Sequence, residues 1–509
     1  MESQPTTTQA SRTWPAIWSG CVILCLVWSP YDARADNPLH VGVAEVNITP
    51  PKGFPIAGYY HERLATGTKD PLKARAIVFR SGDVQAALVV CDLCGIAVDL
   101  SNEVRKQASA LTKIPERHIV LSATHSHTSP DYARNLYLYL GKPAGERRPD
   151  SYSANLIRGV VEAIVKAHES AKPSVIHAGT TRQETPVSFN RRFLLRDGSV
   201  RTWMALDHPD VLRAAGPIDP DLNLFTVRST DADSTHAVFS NFALHLDTVS
   251  GLEWSADYPF FIEQAVREAI GKNAISIFGT GCCGDINHVD PSRKERNKTA
   301  FIGGSLGETV RKSLNQLPPV KQPTLRVQST VVPLLLEEVT KEEVVRATKL
   351  LAAVTGGQKV DFLDQVRAYK QVILDNLRHR PAYVASDQFI NWGLSRTWAG
   401  IGERLPVDVT VMTLGDEVAI VCLPGEVFVD LGLAIKRASP FRTTIVVELS
   451  NCVETAYIPP RAAYAAGSYE VTNSLVQPGS GEMLVEAAVR LLRRAASDAR
   501  SASPKRKST

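Results

Sequence analysis

Charge of one sign is scarce in this chain. Its 57 basic residues stand against 53 acidic ones, a formal net charge of +4 over 509 residues. That excess is too small to argue for nucleic acid as a partner. Much of it sits in the tail from Arg493-Arg494 to Lys507, which reads as a solvated, disordered end. Several catalytic signatures are also missing. There is no helical HExxH, so an ordinary zinc protease is excluded. There is no Gly-x-Ser-x-Gly elbow, so a Ser-His-Asp hydrolase has little support. The glycine-rich loop from Gly281 to Asp285 lacks the lysine of a phosphate-binding loop. Internal repeats are absent, and low complexity is confined to the Ser/Arg/Lys-rich tail.

Long apolar runs are missing too, except near the start. Arg12 precedes an apolar stretch from Trp14 to Trp28, and Ala33-Arg34-Ala35 offers a small-x-small cleavage site. This pattern predicts a signal peptide over residues 1–35, with secretion or periplasmic export after cleavage near Ala35. The alternative is an uncleaved anchor, for which the run is short. Cleavage removes Cys21 and Cys25 and leaves Cys91, Cys94, Cys282, Cys283, Cys422 and Cys452. These lack paired zinc-knuckle spacing. Cys91-Asp92-Leu93-Cys94 ends a strand instead of opening a thioredoxin-like helix, which argues against redox chemistry. An exported protein permits disulfides, with connectivity left open.

What remains is a chain of ordinary composition, 44% hydrophobic and 22% charged, able to bury a large core. Apolar strands are expected at 41–46, 119–123, 174–179, 222–227, 237–243, 274–278 and 443–449. Hairpins are expected at 74–91 and 407–422, with a helix capped by Ser101 and another over 151–170. Strands and helices interleave with hairpins, which predicts an α/β fold of layered mixed sheets flanked by helices. The expected organisation is a single large catalytic domain over 36–497. Within it, 337–380 is a charged helical hairpin on the surface, broken at Gly356-Gly357. A tail over 498–509 follows.

One pattern recurs along this chain: a buried strand ends and reactive side chains follow. The most informative case is Ile119 to Ala123, which runs into Thr124-His125-Ser126-His127-Thr128-Ser129-Pro130. In extended backbone, His125 and His127 point to the same side. Other strand ends carry His245, the set Asp285/Asn287/His288, and Glu426, and one more follows Leu449. Carboxyl ends of strands are where ligands bind in α/β sheets. Two imidazoles and a carboxylate suit a catalytic zinc with an open position for water. Each residue taken alone also has a structural reading. His245 could be a hydrogen-bonded core histidine, Glu426 the first-turn carboxylate of the next helix, Asp247 and Asp257 caps, and Tyr457, Tyr464 and Tyr469 packing.

With these ends assembled, the chain resembles the neutral/alkaline (non-lysosomal) ceramidases over most of 41–471. Thr124-His125-Ser126-His127-Thr128-Ser129-Pro130 is similar to that family's THTHSGP segment. Asn241-Phe242-Ala243-Leu244-His245 is similar to NFAxH, and Pro424-Gly425-Glu426 to PGE. The resemblance implies that His125, His245, Glu426 and Tyr457 hold Zn2+. It places His127, Tyr469 and Arg191, the last in the pair Asn190-Arg191, around the scissile amide. Gly284-Asp285-Ile286-Asn287-His288 aligns with the family's GDxSP, so Asn287 replaces a serine implicated in activity. Asparagine can donate a hydrogen bond but cannot act as the same nucleophile, which favours attack by metal-activated water. Because the sequence ends soon after the tyrosine loop, the family's C-terminal immunoglobulin-like domain is expected to be missing.

The resulting expectation is an exported zinc amidohydrolase acting on the N-acyl amide of ceramide-like lipids. Its partners would be a lipid-like or small amide substrate, with a peripheral membrane contact, no nucleic acid and an open oligomeric state. The alternatives are a zinc hydrolase of another amide or an ester, and an inactive zinc-containing binding protein.

Overall fold

The computed structural model describes residues 38–132, 151–231, 234–379 and 395–502. The expected signal sequence and the end of the basic tail lie outside them. Eight strands form the larger sheet. They are β1 (His40–Asn47), β2 (Lys73–Ser81), β3 (Val84–Cys91), β4 (Ile119–Ala123), β5 (Lys172–Arg182), β6 (Asp221–Ser229), β7 (Thr235–Phe242) and β8 (Ile275–Thr280). Their spatial order is β8-β7-β6-β5-β1-β2-β3-β4. Neighbours are antiparallel except β3 with β4 and β7 with β8. A second sheet orders β9 (Leu325–Leu335), β10 (Arg404–Leu414), β11 (Val418–Cys422) and β12 (Thr443–Val447) in sequence. Here β11 and β12 run parallel.

The two sheets pack face to face, and the period-two alternation of each strand explains why. In β2, Ile77 and Phe79 point into the inter-sheet core, while Ala74, Ala76 and Val78 point to the other face. In β10, Met412 and Leu414 join that same inter-sheet core, and Val407, Val409 and Val411 turn away from it. Strands covered on both faces read as continuous apolar runs, as these do. At the centre Phe225 and Phe239 stack with centroids 4.9 Å apart. The outer faces carry helices: α1 (Val98–Thr112), α2 (Ser151–Glu169), α3 (Pro259–Ile270) and α4 (Thr299–Ser313) on the larger sheet. On the smaller sheet lie α5 (Lys341–Thr355), α6 (Phe362–His379), α7 (Val429–Ala438) and α8 (Ser480–Ala502). The molecule is a helix–sheet–sheet–helix sandwich, the layered α/β architecture expected.

The end of β12 joins the opposite edges of the large sheet. Glu448 N–H donates to Thr280 O at 3.0 Å, at the end of β8, and Asn451 N–H donates to Leu121 O in β4 at 2.7 Å. Thr280 Oγ1 also donates to Thr124 O at 2.8 Å. The loops that follow the two edge strands are thereby drawn together.

Three expectations need correction. Ser101 does not cap α1, which begins a turn earlier at Val98. The cap is tertiary: Val98 N–H donates to Glu454 Oε1 at 2.8 Å. The helical hairpin is not a surface appendage, because α6 buries Val366, Val372, Leu374 and Leu377 completely. Helix α8 continues to Ala502, into the stretch expected to be a tail. The six cysteines of the described region are all free. Among the described residues, no helix is long and apolar enough to cross a membrane.

Candidate functional site

Strand β4 stops at Ala123, and His125 lies beyond it with φ 74°. The two histidines therefore do not converge by strand alternation, as the spacing had suggested. A left-handed residue turns the chain, fixed by His125 N–H to Leu93 O at 2.9 Å and His127 N–H to Leu246 O at 3.0 Å. A non-glycine residue held at positive φ is a strain that surrounding structure must support, and such strain gathers at functional sites.

His245 follows β7 and is 1% exposed. Glu426 follows β11 in a two-residue strand, Glu426–Val427, paired in parallel with Tyr457–Ile458. Gly425 makes this possible. It has φ 64°, and a Cβ there would overlap Thr455 Oγ1 and stand 2.7 Å from Ala456 O. The three segments bring three side chains together. His125 Nε2 lies 3.0 Å from His245 Nε2. Glu426 Oε2 is 3.4 Å from the first and 3.5 Å from the second.

Hydrogen bonding assigns the ring tautomers. His125 Nδ1 donates to Cys94 O at 2.6 Å, and His245 Nδ1 donates to Cys283 O at 3.0 Å. In the neutral rings both Nε2 atoms then carry lone pairs aimed at each other. Lone pairs at that separation repel unless a proton or a metal cation stands between them. Glu426 Oε2 is also buried without a hydrogen-bond partner, which by itself would cost about 1–3 kcal/mol. Two ε-nitrogens and a carboxylate oxygen gathered within 3.5 Å of one another fit a divalent cation in place of a shared proton. Backbone carbonyls behind both imidazoles are the usual outer support of such a site.

The electrostatics pair a charged His125 with Glu426: burial would lower the imidazole, but Glu426 and Cys94 raise it well above its ordinary range, and a divalent cation would take the place of that proton. Burial alone would raise the Glu426 carboxyl, but His125, His245 and a hydrogen bond from Tyr457 hold it at about 2. Burial, Arg191 and His125 push His245 far below its ordinary range, so its ring is neutral. Burial and His125 bring His127 down to about 3.

The remaining expected residues divide. His127 Nε2 is 3.3 Å from His125 Nε2. Arg191 Nη1 is 3.4 Å from His245 Nε2, and its Nη2 donates to Gly284 O at 2.8 Å and Tyr457 Oη at 3.1 Å. Tyr469 stands 5.5 Å from Tyr457, ring to ring, with its hydroxyl 3.4 Å from that of Tyr60. Asn287 is the exception. Its side-chain oxygen accepts Val289 N–H at 3.1 Å, closing its own turn, and it does not line the cavity over the cluster.

That cavity is walled by Tyr59, Tyr60, Tyr132, Val453, Tyr457 and Tyr469, with His125, His127 and Glu426 at its base. Trp203 lies 4.8 Å from Tyr469 and Phe362, the first residue of α6, 5.7 Å from it. Both are exposed, Trp203 at 51% and Phe362 at 41%. Gly58, φ 96°, lets the backbone approach His127, because a Cβ there would stand 2.7 Å from the ring. Glu470 was not foreseen. It is fully buried and accepts Arg191 Nε–H at 2.8 Å, with Thr202 Oγ1 donating to it at 2.8 Å. Its position beside Tyr469 in a tyrosine-rich loop was the available sign. Trp203 and Phe362 lay in segments with no such sign.

Residues 39–251 match the sequence model of the family described as neutral/alkaline non-lysosomal ceramidase, N-terminal. The resemblance read from the motifs is thus present in the first half of the chain. No curated protein matches the chain in sequence. The chain shares its fold with a neutral ceramidase from Pseudomonas aeruginosa, at TM-score 0.65 and 18% identity, over 90% of this chain and 75% of that one. A structure described as ceramidase complexed with C2 matches at TM-score 0.65 and 17% identity, over 90% and 76%.

Proposed function

We propose that this protein is a zinc-dependent amidohydrolase that cleaves the N-acyl amide of ceramide-like lipids after export from the cytoplasm. One observation carries the reading. Two imidazole lone pairs and an unpartnered carboxylate oxygen, from three distant segments, converge within 3.5 Å at the base of an aromatic cavity. His125, His245 and Glu426 would hold the ion, with Tyr457 beside Glu426. When bound, zinc supplies Lewis-acid polarisation of a carbonyl and lowers the pKa of water.

The chain's own residues supply the rest. Arg191, fixed by Glu470, presents its guanidinium toward His245 and Tyr457 and would stabilise charge developing on the carbonyl oxygen. Tyr469, reached from Tyr60 and Tyr457, would donate to the same oxygen. His127, neutral and at the cavity floor, would take a proton at Nε2 and pass it to the leaving amine. The family resemblance supports an amide as the scissile bond. The aromatic wall, extended by Trp203 and Phe362, supports a hydrocarbon chain on the substrate. Asn287, turned away from the cavity, leaves no side-chain nucleophile at its position.

The test pairs metal analysis with a substrate panel. Purified wild-type protein is expected to carry one zinc per chain and to hydrolyse N-acyl sphingosine in preference to short N-acyl amines and esters. His245→Ala is expected to lose both zinc and activity. Stoichiometric zinc with turnover in that variant would refute the ligand assignment. Preference for short amides or esters would redirect the substrate reading. Bound zinc with no hydrolysis of any panel member would leave a binding protein.

A further inference from the structure

A second group of ligand atoms overlaps the first. Cys94, His125 and His127 each offer one, and the three lie within 4.8 Å of one another. Cys94 Sγ is 3.9 Å from His125 Nδ1, the nitrogen that donates to Cys94 O, so the atom His125 offers is Nε2, 3.3 Å from His127 Nε2. Unlike the other five cysteines of the described region, which are buried, Cys94 is partly exposed. It lines the same cavity as both histidines. Donors about 2.0–2.3 Å from a tetrahedral ion stand roughly 3–4 Å apart; the two ε-nitrogens already do, and Cys94 Sγ lies within 4.8 Å of the donors.

The two groups differ in chemistry and share one member. His125, His245 and Glu426 pair two imidazoles with a hard carboxylate, whereas Cys94, His125 and His127 pair two imidazoles with a soft thiolate. Soft metal ions favour thiolate donors over carboxylates. Because His125 belongs to both groups, an ion in either position draws on the same imidazole. The second group would also occupy His127, which the first leaves free.

We propose that Cys94, His125 and His127 form an inhibitory site for thiophilic divalent metal ions. The proposal rests on His125 as a zinc ligand and His127 as a working group of the reaction. On binding, the Cys94 thiol releases its proton to solvent and a sulfur lone pair forms the metal bond; nothing is oxidised. Capture of His127 stops turnover, and capture of His125 loosens the hydrolytic ion.

Cadmium is the probe. Cd2+ is titrated into the zinc-loaded, full-length protein and into its Cys94→Ser variant. Thiolate-to-cadmium absorption, zinc retained after desalting, and hydrolysis of N-acyl sphingosine are followed together. Each activity is scaled to the same protein's own rate without cadmium. Wild type is expected to develop the absorption band as activity falls. In the variant, the band attributable to this site disappears and inhibition requires roughly 10–100-fold more cadmium, the range over which supporting groups tune metal affinity. Equal inhibition of both proteins, no difference in band, or a band in wild type with unchanged activity would overturn the proposal. The absorption difference needs no substrate. If no amide is hydrolysed but the band depends on Cys94, the substrate reading fails while the site itself survives.

Discussion

At the residue scale, geometry ranks the side chains around the candidate metal cluster. Tyr469 touches neither imidazole nor Glu426 by any short contact, so its removal should spare the ion. Tyr469→Phe is expected to keep one zinc per chain and to lower kcat by roughly 100–1,000-fold, the cost of one lost oxyanion donor; metal analysis beside steady-state kinetics checks both halves. Gly425 acts in the opposite way. It contributes no chemistry, but Gly425→Ala would drive a methyl group against Thr455 and Ala456 O from a left-handed backbone position. The expected result is a folded protein whose zinc affinity falls by roughly 10–100-fold as Glu426 is displaced, read by competition with a chelator of known affinity.

At the scale of elements, helix α6 ties an irregular insertion to the cavity. Its inner face packs on the second sheet, and its first residue, Phe362, joins Tyr60, Trp203 and Tyr469 at the mouth. If an acyl chain runs over that surface, Phe362→Ala should raise KM for long-chain amides by about fivefold, or about 1 kcal/mol, because a partly exposed ring contributes less than a fully buried one. KM for short-chain amides should stay unchanged. Comparing an acyl-length series in both proteins distinguishes this from a general loss of folding, which would affect every member alike.

At the scale of the whole molecule, stability has an electrostatic seam between the large sheet and α3. Glu263 accepts from Lys73 at 2.6 Å and from Arg75 at 2.7 Å, and Arg75 also donates to Asp92 at 2.8 Å. Burial would raise the Glu263 carboxyl, but Arg75 and Lys73 outweigh it and hold it below its ordinary 4.5. A depressed carboxylate gives its full stabilisation above its unfolded pKa and loses it as pH falls through the folded value. Urea denaturation should therefore show the Glu263 share of stability, read as the difference between wild type and Glu263→Gln, declining below about pH 4.5. Glu263→Gln should be less stable at pH 7 by about 1–3 kcal/mol for the charge-assisted hydrogen bonds it weakens, since Arg75 keeps Asp92 and Lys73 keeps Glu45, and its acid dependence should be flatter. Chelation should lower the melting temperature of wild type, because an ion gripping three distant segments stabilises the folded chain alone.

The sequence by itself determined the buried strands, because each is an apolar run between turn residues, and the sites where they end, because polarity changes abruptly there. It also marked His125, His245 and Glu426 as candidates, because each follows the end of an apolar strand. Tertiary structure decided how those ends meet. The large sheet places β4 and β8 at opposite edges, and the end of β12, by pairing with both, draws them together. The left-handed turn at His125, the Glu454 cap of α1, the Glu470 support of Arg191 and the reach of Phe362 across the cavity all depend on partners more than a hundred residues away or on backbone held by them. Local propensity carries no record of such partners, so these features became visible when the chain was folded.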